Sequence, residues 1–366
     1  MEQKVKIIAT VSNDLNNDRR MIRTCSALQE RGYDVTLVGR KRKHSKPLNS
    51  QVFKQIRLRN SIDKGPLFYL EHNLRLLFYL LTNRADIIIS VDLDTILPGV
   101  IVKSLRRSKL VYDAHEYFSE VPELVQRKRV KSIWEGIARF SIPKVDAAYS
   151  VGPALANEFT ERYKISFGVV RNCPEFTNRK MEHRSNPPYL LYQGALNKGR
   201  CVEMYIKMMH RIPEKFHLYI AGSGDLDDEL IALAKEEGLK DRINFMGMLN
   251  PTELNDVTNK AFVGLNLLEN EGLSYYYSLA NKSLDYIQAG LPSIHSKFPE
   301  YQAINEQFDC FLLCEISEND LVEKVNLLLD NPERYEVMRK NCKIAAADLN
   351  WENEKKELFR IYEGLA

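Results

Sequence analysis

The sequence predicts an α/β fold built from two Rossmann-like domains, and three observations support this prediction. At 366 residues the chain is too long for one ordinary core, because most domains contain about 100–200 residues. Short β-branched runs alternate with amphipathic stretches, a pattern typical of βαβ units on a parallel sheet. The alternation breaks at the polar, proline-containing run 175–188 and then restarts, which indicates a linker between two domains.

The predicted elements alternate along each half. The first half contains strands at 6–11, 35–38, 87–91 and 110–112 and helices at 19–31, 67–81 and 95–105. The second half contains strands at 189–192, 216–221, 243–246, 262–267, 291–294 and 310–313 and helices at 202–210, 226–237 and 281–288. We therefore expect an N-terminal domain at 1–172, a linker at 173–188 and a C-terminal domain at 189–349. Two such sheets whose strand carboxyl ends face each other would bind ligands in the cleft between them.

Composition and charge exclude several classes of protein. The apolar fraction of 44% and the charged fraction of 28% are those of a globular protein. The net charge of +3 hides an asymmetry, because residues 1–180 contain 32 Lys and Arg against 19 Asp and Glu, and the remainder contains 20 against 30. No apolar run is long enough for a membrane span, and we expect no signal peptide. The six cysteines and seven histidines form no CxxC or zinc pattern, so we expect reduced thiols and no zinc site.

Polar side chains follow several strands of the first half. The turn at 12–18 contains no glycine, so a dinucleotide cofactor held by a G-x-G-x-x-G loop is not expected there. Asp92 and Asp94 follow the strand at 87–91 and fit two interpretations. They can hold a divalent metal with a sugar-nucleotide diphosphate, or they can cap the next helix. The second is the commoner meaning of so short a pattern.

The segment Asp113-Ala114-His115-Glu116 follows the next predicted strand. Parallel sheets present functional groups at the carboxyl ends of their strands. His115 titrates near neutral pH, so it is suited to exchange a proton or to hydrogen-bond a sugar hydroxyl. The alternative is that Asp113 caps the following helix and His115 only packs.

A glycine-containing turn at 194–200 follows the first strand of the second half. Glycine lets the backbone approach a ligand closely, and Lys198 and Arg200 supply cationic donors, so the turn is suited to a diphosphate. A surface turn with two solvated cations is the alternative. The run Ala221-Gly222-Ser223-Gly224 is a second tight turn, which is weak evidence when taken alone.

The helix predicted at 281–288 carries Asn281, Lys282 and Asp285 near its start. Asp285 shares a helix face with Asn281, four residues earlier. Helix amides can bind a phosphate while the carboxylate binds ribose hydroxyls. Asp285 can equally be an ordinary solvated helix residue.

Together these segments resemble the B-type glycosyltransferases, in particular the group that contains retaining enzymes for cell-surface glycans. The resemblance rests on motifs in the family's order at 17–38, 92–97, 111–116, 170–174, 192–200, 221–224 and 281–292. It implies the GT-B fold, in which two Rossmann-like domains face each other across a cleft and the last helix, here in 350–366, returns to the N-terminal domain. The family commonly has two glutamates with seven residues between them, whereas this chain has Tyr277 and Asp285. Glu271, in the preceding loop, is a candidate substitute for the first.

The resemblance also implies roles for single residues. The N-terminal domain would bind the acceptor. The C-terminal domain would bind a nucleotide sugar, with Gly194, Lys198 and Arg200 at the diphosphate and Asp285 at the ribose. His115 would contact the donor sugar near the reacting carbon. The predicted catalytic residues are His115 and Glu116, and the predicted nucleotide-sugar ligands are Gly194, Lys198, Arg200, Gly222, Asn281, Lys282 and Asp285. No cofactor and no metal are expected, because enzymes of this fold are usually metal-independent.

We therefore expect a glycosyltransferase that moves a sugar, with retention, from a nucleotide-diphosphate sugar to a glycan or lipid-linked acceptor in cell-surface polysaccharide synthesis. Two alternatives remain open: a sugar-nucleotide epimerase on the same fold, and a non-catalytic nucleotide-sugar-binding subunit, which Tyr277 suggests.

Charge and apolar patterning favour a cytoplasmic protein that contacts an anionic membrane peripherally at its inner face. Basic segments at 40–46 and 127–131 lie beside the amphipathic stretches 67–81 and 132–142, a combination suited to such a surface. Solvated cations beside ordinary core faces are the alternative. Nucleic acid is not an expected partner, because no recognition motif is present.

Overall fold

The computed structural model describes residues 4–177 and 184–365. It divides the chain into two compact units, one formed by Met1–Asn172 with Glu354–Ala366 and the other by Cys173–Asn353. The segment 173–188, expected as a linker, falls in the second unit, and its residues 178–183 lie outside the described part. The C-terminal segment joins the first unit from Glu354 onward, rather than from residue 350.

Strands and helices alternate along the chain. The strands are β1 (Lys6–Thr10), β2 (Asp34–Lys41), β3 (Lys54–Arg59), β4 (Ile87–Val91), β5 (Lys109–Ala114), β6 (Ala147–Ser150), β7 (Phe167–Val169), β8 (Tyr189–Gln193), β9 (His217–Ala221), β10 (Ile243–Gly247), β11 (Val263–Asn266), β12 (Ser293–Ser296) and β13 (Phe311–Cys314). The helices are α1 (Arg19–Glu30), α2 (Pro66–Thr82), α3 (Ile96–Leu105), α4 (Pro122–Val125), α5 (Lys128–Ser141), α6 (Pro153–Tyr163), α7 (Val202–Met208), α8 (Asp227–Glu236), α9 (Pro251–Lys260), α10 (Leu273–Tyr276), α11 (Asn281–Gln288), α12 (Pro299–Phe308), α13 (Glu318–Asp330), α14 (Pro332–Asp348) and α15 (Trp351–Glu363). None of the helices in the described ranges is both long and apolar enough to cross a membrane.

The first unit is built on a parallel sheet. Its described residues form seven strands in the order β3-β2-β1-β4-β5-β6-β7, and Ile7 of β1 pairs with Val35 on one side and Ile87 on the other. All five residues of β4, Ile-Ile-Ile-Ser-Val, are buried, as expected for an inner strand of a parallel sheet. The strand order reverses between β1 and β4. Ligand sites of open α/β sheets lie at the carboxyl ends of strands beside such a reversal.

The second unit repeats this architecture. Its six described strands run β10-β9-β8-β11-β12-β13, again in parallel. Every residue of β8 is buried. Helix α9 begins with a capping box, in which the Asn250 side chain accepts from the Glu253 amide and the Glu253 side chain accepts from the Asn250 amide. Here the order reverses between β8 and β11, which predicts a ligand site at the carboxyl ends of those two strands.

Sequence reasoning missed three strands that the structure describes in the first unit. β3 is an edge strand of sequence Lys-Gln-Ile-Arg-Leu-Arg with no fully buried residue, so its apolar signal is weak. β6 and β7 contain only 4 and 3 residues. β5 is longer than predicted and extends to Ala114. Asp113 is therefore a strand residue, and its alternative interpretation as a helix cap is wrong.

The last helix, α15, packs on the first unit, as the resemblance implies. Glu354 accepts hydrogen bonds from the Arg171 backbone amide at 2.7 Å and from the Arg171 guanidinium at 3.0 Å. At the other end of the helix, the Tyr362 hydroxyl lies 3.3 Å from that of Tyr149, and both rings are buried. A helix distant in sequence thus completes the core of the first unit.

Candidate active site

A cluster of titratable side chains lies where three central strands of the first unit end. Ser12 follows β1, Asp92 and Asp94 follow β4, and Asp113 and His115 lie at the end of β5. Because these strands are neighbours in the sheet, side chains far apart in sequence meet beside the point where the strand order reverses.

Asp113 is the centre of this cluster. Its side chain is fully buried, with Oδ1 2.8 Å from the Arg20 guanidinium and Oδ2 3.2 Å from His115 Nε2. Arg20 is itself 94% buried in its side chain and also donates to the Val170 carbonyl at 2.8 Å. Burial alone would raise the pKa of Asp113, but the charges of Arg20 and His115 hold it well below its usual value. Asp113 is therefore a permanent anion that fixes both cationic neighbours.

His115 is held between two carboxylates. Its Nε2 faces Asp113, its Nδ1 lies 3.8 Å from Asp92 Oδ2, and its backbone amide donates to Asp92 Oδ1 at 2.8 Å. Burial lowers the pKa of His115, but Asp113 and Asp92 outweigh it and the net shift is upward. The side chain keeps 20% exposure. His115 is thus a reachable group that favours the protonated, hydrogen-bond-donating form.

Asp92 and Asp94 are fixed by contacts within the cluster and do not cap the next helix. Neither makes a side-chain capping bond there, and Asp92 adopts φ 54°, a conformation that few non-glycine residues adopt. The Ser12 hydroxyl donates to Asp94 at 2.5 Å. Burial raises the pKa of Asp94 to about 6 in spite of that bond, and burial also raises the pKa of Asp92. Glu116, the other predicted catalytic residue, is exposed.

The metal interpretation of Asp92 and Asp94 requires at least one further ligand beside them. Among the residues that the structure describes, no group of three or more His, Cys, Asp or Glu side chains is arranged to hold a metal ion.

In the second unit, two glycine turns pack directly on each other. Gly194 (φ 137°) follows β8 and Gly222 (φ 148°) follows β9. A Cβ added at Gly222 would lie 1.8 Å from the Gly194 carbonyl oxygen, so no other residue fits there. The Gly194 amide donates to the Ala221 carbonyl at 2.9 Å. The predicted turns therefore form one compact surface at the end of the sheet.

Two cations project from the first of these turns. Lys198 is 77% exposed in its side chain, with Nζ 3.7 Å from Glu271 Oε1. The Arg200 guanidinium lies 4.7 Å from the centroid of the Tyr275 ring. Its buried Nε has no hydrogen-bond partner within the described ranges. Arg200 is thus positioned by an aromatic ring while keeping donor capacity.

Lys282, near the start of α11, is a buried charge with no opposite charge paired to it among the described residues. Its side chain is buried, and its Nζ has no hydrogen-bond partner among the described residues. It lies 3.9 Å from the centroid of the Tyr192 ring and 3.2 Å from the position of a Cβ at Gly194. Burial and the nearby charge of Arg200 lower the pKa of Lys282 well below its usual value. The sequence predicted Lys282 as a ligand but not its burial.

Asp285, one turn further along α11, is held by a residue that sequence reasoning missed. Gln193, the last residue of β8, donates to Asp285 Oδ2 at 3.0 Å and accepts from the Thr258 hydroxyl at 2.8 Å. The only sequence signal for Gln193 is a polar residue ending an apolar strand. Asn281 is exposed at the first position of α11, and Tyr277 packs edge-on against Tyr276.

The structure therefore brings the predicted residues together in two groups, one in each unit. Gly194, Lys198, Arg200, Gly222, Asn281, Lys282 and Asp285 surround the carboxyl ends of β8, β9 and β11, and His115 and Glu116 follow β5.

Comparisons with known proteins match both units. Residues 175–344 match the family described as Glycosyl transferases group 1, and residues 18–173 match Glycosyltransferase Family 4. No curated protein sequence matches the chain.

Many solved structures share the architecture over nearly the whole chain. Sucrose-phosphate synthase from Thermosynechococcus elongatus is 18% identical, with 99% of each chain covered and a TM-score of 0.80. Anabaena HepE in complex with UDP and glucose is 12% identical, with 98% of this chain and 99% of that chain covered and a TM-score of 0.77. WaaG, a glycosyltransferase involved in lipopolysaccharide biosynthesis, is 17% identical, with 98% and 100% covered and a TM-score of 0.76. Likeness at these identities establishes the fold.

Proposed function

We propose, from the premise that the chain is a glycosyltransferase with the GT-B fold, that it transfers a sugar from a nucleotide-diphosphate sugar to a glycan or lipid-linked acceptor. We propose further that transfer retains the anomeric configuration and serves cell-surface polysaccharide synthesis. The first part rests on the site of the second unit, and the second part rests on the resemblance to retaining enzymes for cell-surface glycans.

The observation that carries the proposal is the uncompensated charge at Lys282. Leaving an ammonium group buried without a partner is costly, so a site that retains one is suited to an anion that supplies the partner. Arg200 adds a second cation with free donor capacity at Nε. The two glycine turns let a ligand approach the backbone closely. A nucleoside diphosphate fits this combination of charge and shape, and Anabaena HepE was solved with UDP-glucose.

In this proposal the two groups of residues have different tasks. Sugar transfer leaves negative charge on the departing diphosphate, and Lys198, Arg200 and Lys282 would stabilise it. His115, protonated and fixed by Asp113, would donate a hydrogen bond to the donor sugar near the reacting carbon. Asp285, oriented by Gln193, would accept from the ribose hydroxyls.

We also propose that the reaction needs no metal ion, because protein cations are available at the diphosphate. Turnover should then be unchanged by a chelator such as EDTA. Loss of turnover with EDTA, restored by a divalent cation, would contradict this part of the proposal.

Calorimetric titration with UDP, GDP and their sugars tests the donor site. At least one nucleotide should bind the full chain, and the absence of binding by every nucleotide would refute the proposal. Product analysis then separates the classes, because transfer releases the nucleoside diphosphate, whereas an epimerase leaves it attached to the altered sugar. Binding without turnover of any donor and acceptor would favour a non-catalytic subunit, the candidate that Tyr277 suggests.

We propose that the protein works in the cytoplasm, at the inner face of a membrane. Leu67, Leu70, Leu74 and Phe78 follow one another along α2, and each is between 57% and 70% exposed. Their spacing places them on one helix face, and an exposed apolar stripe of this kind suits the interface of a lipid bilayer. Co-sedimentation with anionic vesicles should occur, and Leu74→Ser with Phe78→Ser should abolish it. A protein that stays in the supernatant at low salt would indicate a soluble acceptor.

A further inference from the structure

A second charged region of the first unit is not used by the site described above. A surface cavity of about 660 Å³ lies where β2 ends. It is lined by the loop that follows β2 and by the segment that leads into α2. Five of its lining residues are the cations Arg40, Arg42, Lys43, Lys46 and Lys64. We call this region the basic cavity.

The acids in the basic cavity do not balance these cations. Asp63 is paired with Arg40 at 2.6 Å, and Asp14 is paired at 3.0 Å with Arg57, which lies on β3. Both carboxylates are therefore already neutralised by one arginine each. The side chains of the remaining four cations, Arg42, Lys43, Lys46 and Lys64, form no ion pair and no hydrogen bond with any residue that the structure describes. Like charges that converge in this way repel one another, so an anion bound among them would be stabilised by all four.

The loop that carries three of these cations is fixed in place. The Asn16 side chain donates to the Pro47 carbonyl at 2.7 Å and accepts from the Asn49 amide at 3.0 Å. The Arg57 guanidinium donates to the Lys46 carbonyl at 2.8 Å. The Ser45 hydroxyl bonds to Asp14. A fixed loop holds its cations in a preformed arrangement, which lowers the entropic cost of binding a ligand.

Arg40 supplies a buried polar group at this cavity. Its side chain is only 6% exposed and its guanidinium lies 4.1 Å from the centroid of the Phe68 ring. Its Nε is buried and has no hydrogen-bond partner in the described part of the chain. Asp63 and the Phe68 ring therefore hold this cation in place at the wall of the basic cavity, and a buried donor without a partner is rare in native structures.

We propose that the basic cavity binds an anionic group of the acceptor, a phosphate or a carboxylate. This inference rests on the proposed function, with the acceptor bound by the first unit as the resemblance implies. A cavity of this size holds a small sugar phosphate. A flat membrane surface would instead contact residues that protrude, such as the exposed apolar side chains of α2. Asp63, although paired, is 62% exposed in its side chain and can still accept hydrogen bonds from sugar hydroxyls around that anion.

Lysine acylation read by mass spectrometry tests the cavity with inorganic phosphate as the probe. Phosphate should slow acylation of Lys43, Lys46 and Lys64 by roughly threefold or more at saturation, while Lys128, exposed on α5, should be unaffected. Equal protection of all four lysines would overturn the proposal, because it would show a general salt effect.

Two matched triple variants locate the effect and identify its source. Arg42→Ala with Lys43→Ala and Lys46→Ala should weaken phosphate binding by roughly tenfold, measured with the donor site saturated by nucleotide. Arg127→Ala with Lys128→Ala and Arg129→Ala removes the same charge from exposed positions of the same unit and should not weaken it. If phosphate does not bind, and only the first triple variant loses its binding to anionic vesicles, the cations bind the membrane surface and the proposal is wrong.

These outcomes can be separated from failure of the proposed function. The first triple variant should bind nucleotides with unchanged affinity, because its residues lie in the other unit. If no nucleotide binds even the unaltered chain, the proposed function fails, and the acylation experiment still shows whether the cavity holds an anion.

Discussion

The two units differ in how the buried charges of their clusters are compensated. In the first unit Asp113 faces Arg20 and His115, so each of these three charges has an opposite partner. In the second unit Lys282 is buried beside another cation, Arg200, and its Nζ has no hydrogen-bond partner among the described residues. A paired cluster is rigid before any ligand arrives, whereas an unpaired one is completed by the ligand. The difference suggests that the first unit positions a reacting group and the second captures an anion.

The largest expected effect comes from breaking the paired cluster. Asp113→Ala leaves Arg20 buried without its counter-charge, and the loss of one partner of a buried pair costs about 3–5 kcal/mol of unfolding free energy. Denaturant titration of the full chain measures it. The control is Glu363→Ala, since the Glu363 pair with Arg31 is about half exposed and should cost about 1 kcal/mol or less. Equal losses in the two variants would contradict the assignment of Asp113 as the centre of the cluster.

The next prediction separates the two units by function. His115→Ala should lower turnover, by something like 100-fold for a lost proton-transfer or transition-state contact, and should leave nucleotide affinity nearly unchanged. Arg200→Ala should do the reverse and weaken nucleotide binding by about 1.5–3 kcal/mol, the value of a charge-assisted hydrogen bond. Steady-state kinetics and calorimetry on both variants provide the test. Unchanged turnover in His115→Ala would return that residue to a packing role.

The unpaired cluster should respond to substitution with the opposite sign. Lys282→Met removes a buried, uncompensated charge and keeps the volume, so the unfolding free energy should rise by about 1 kcal/mol. Nucleotide binding should weaken at the same time. The exposed Lys198→Met is the control and should leave stability unchanged. A loss of stability in Lys282→Met would show that the ammonium group has a partner in the free protein.

The same residue predicts a pH dependence. The pKa of Lys282 is lowered in the folded chain, so the unfolded chain binds more protons between the folded value and the usual one. The unfolding free energy of the unaltered protein therefore rises with pH across that window. The difference in unfolding free energy between Lys282→Met and the unaltered protein shrinks accordingly. A bound diphosphate restores the proton, so nucleotide binding within the window should take up protons. Calorimetry in two buffers of different ionisation enthalpy measures the uptake, and Lys282→Met should abolish it.

The groups that face Lys282 and interact with its ammonium charge are Arg200, Cys201, His295 and the Tyr192 ring.

Elements with strong periodic signals can be predicted from the sequence, whereas contacts between residues far apart in the chain cannot. Helix α11 and strand β4 have the predicted bounds, because one is amphipathic and ends before a glycine and the other is continuously apolar. The polar edge strand β3 carries neither signal. In the site, residue identities could be predicted from their place after strands. Their electrostatics could not, because the partner of Asp113 lies 93 residues away and lysines such as Lys282 are seldom buried.

The smallest expected effect tests a single hydrogen bond of the paired cluster. Ser12 donates to Asp94 at 2.5 Å, and this bond opposes the burial that raises the pKa of Asp94 to about 6. Above that pH the carboxylate is ionised and Ser12→Ala should cost about 1 kcal/mol of unfolding free energy. Below it Asp94 is protonated, so the cost should fall towards zero as the pH drops from 7 to 5.

Ser45→Ala is the matched control for Ser12→Ala. Ser45 bonds to Asp14, whose pKa is below its usual value because the bonds from Ser45, the Asn16 amide and Arg57 outweigh its burial. Asp14 therefore stays ionised across the same range, and the cost of Ser45→Ala should not change between pH 7 and 5. Parallel pH profiles for the two variants would show that Asp94 does not titrate in this window. Any pH response of the paired cluster near neutrality would then come from His115 and Asp92, because the pKa values of both are raised.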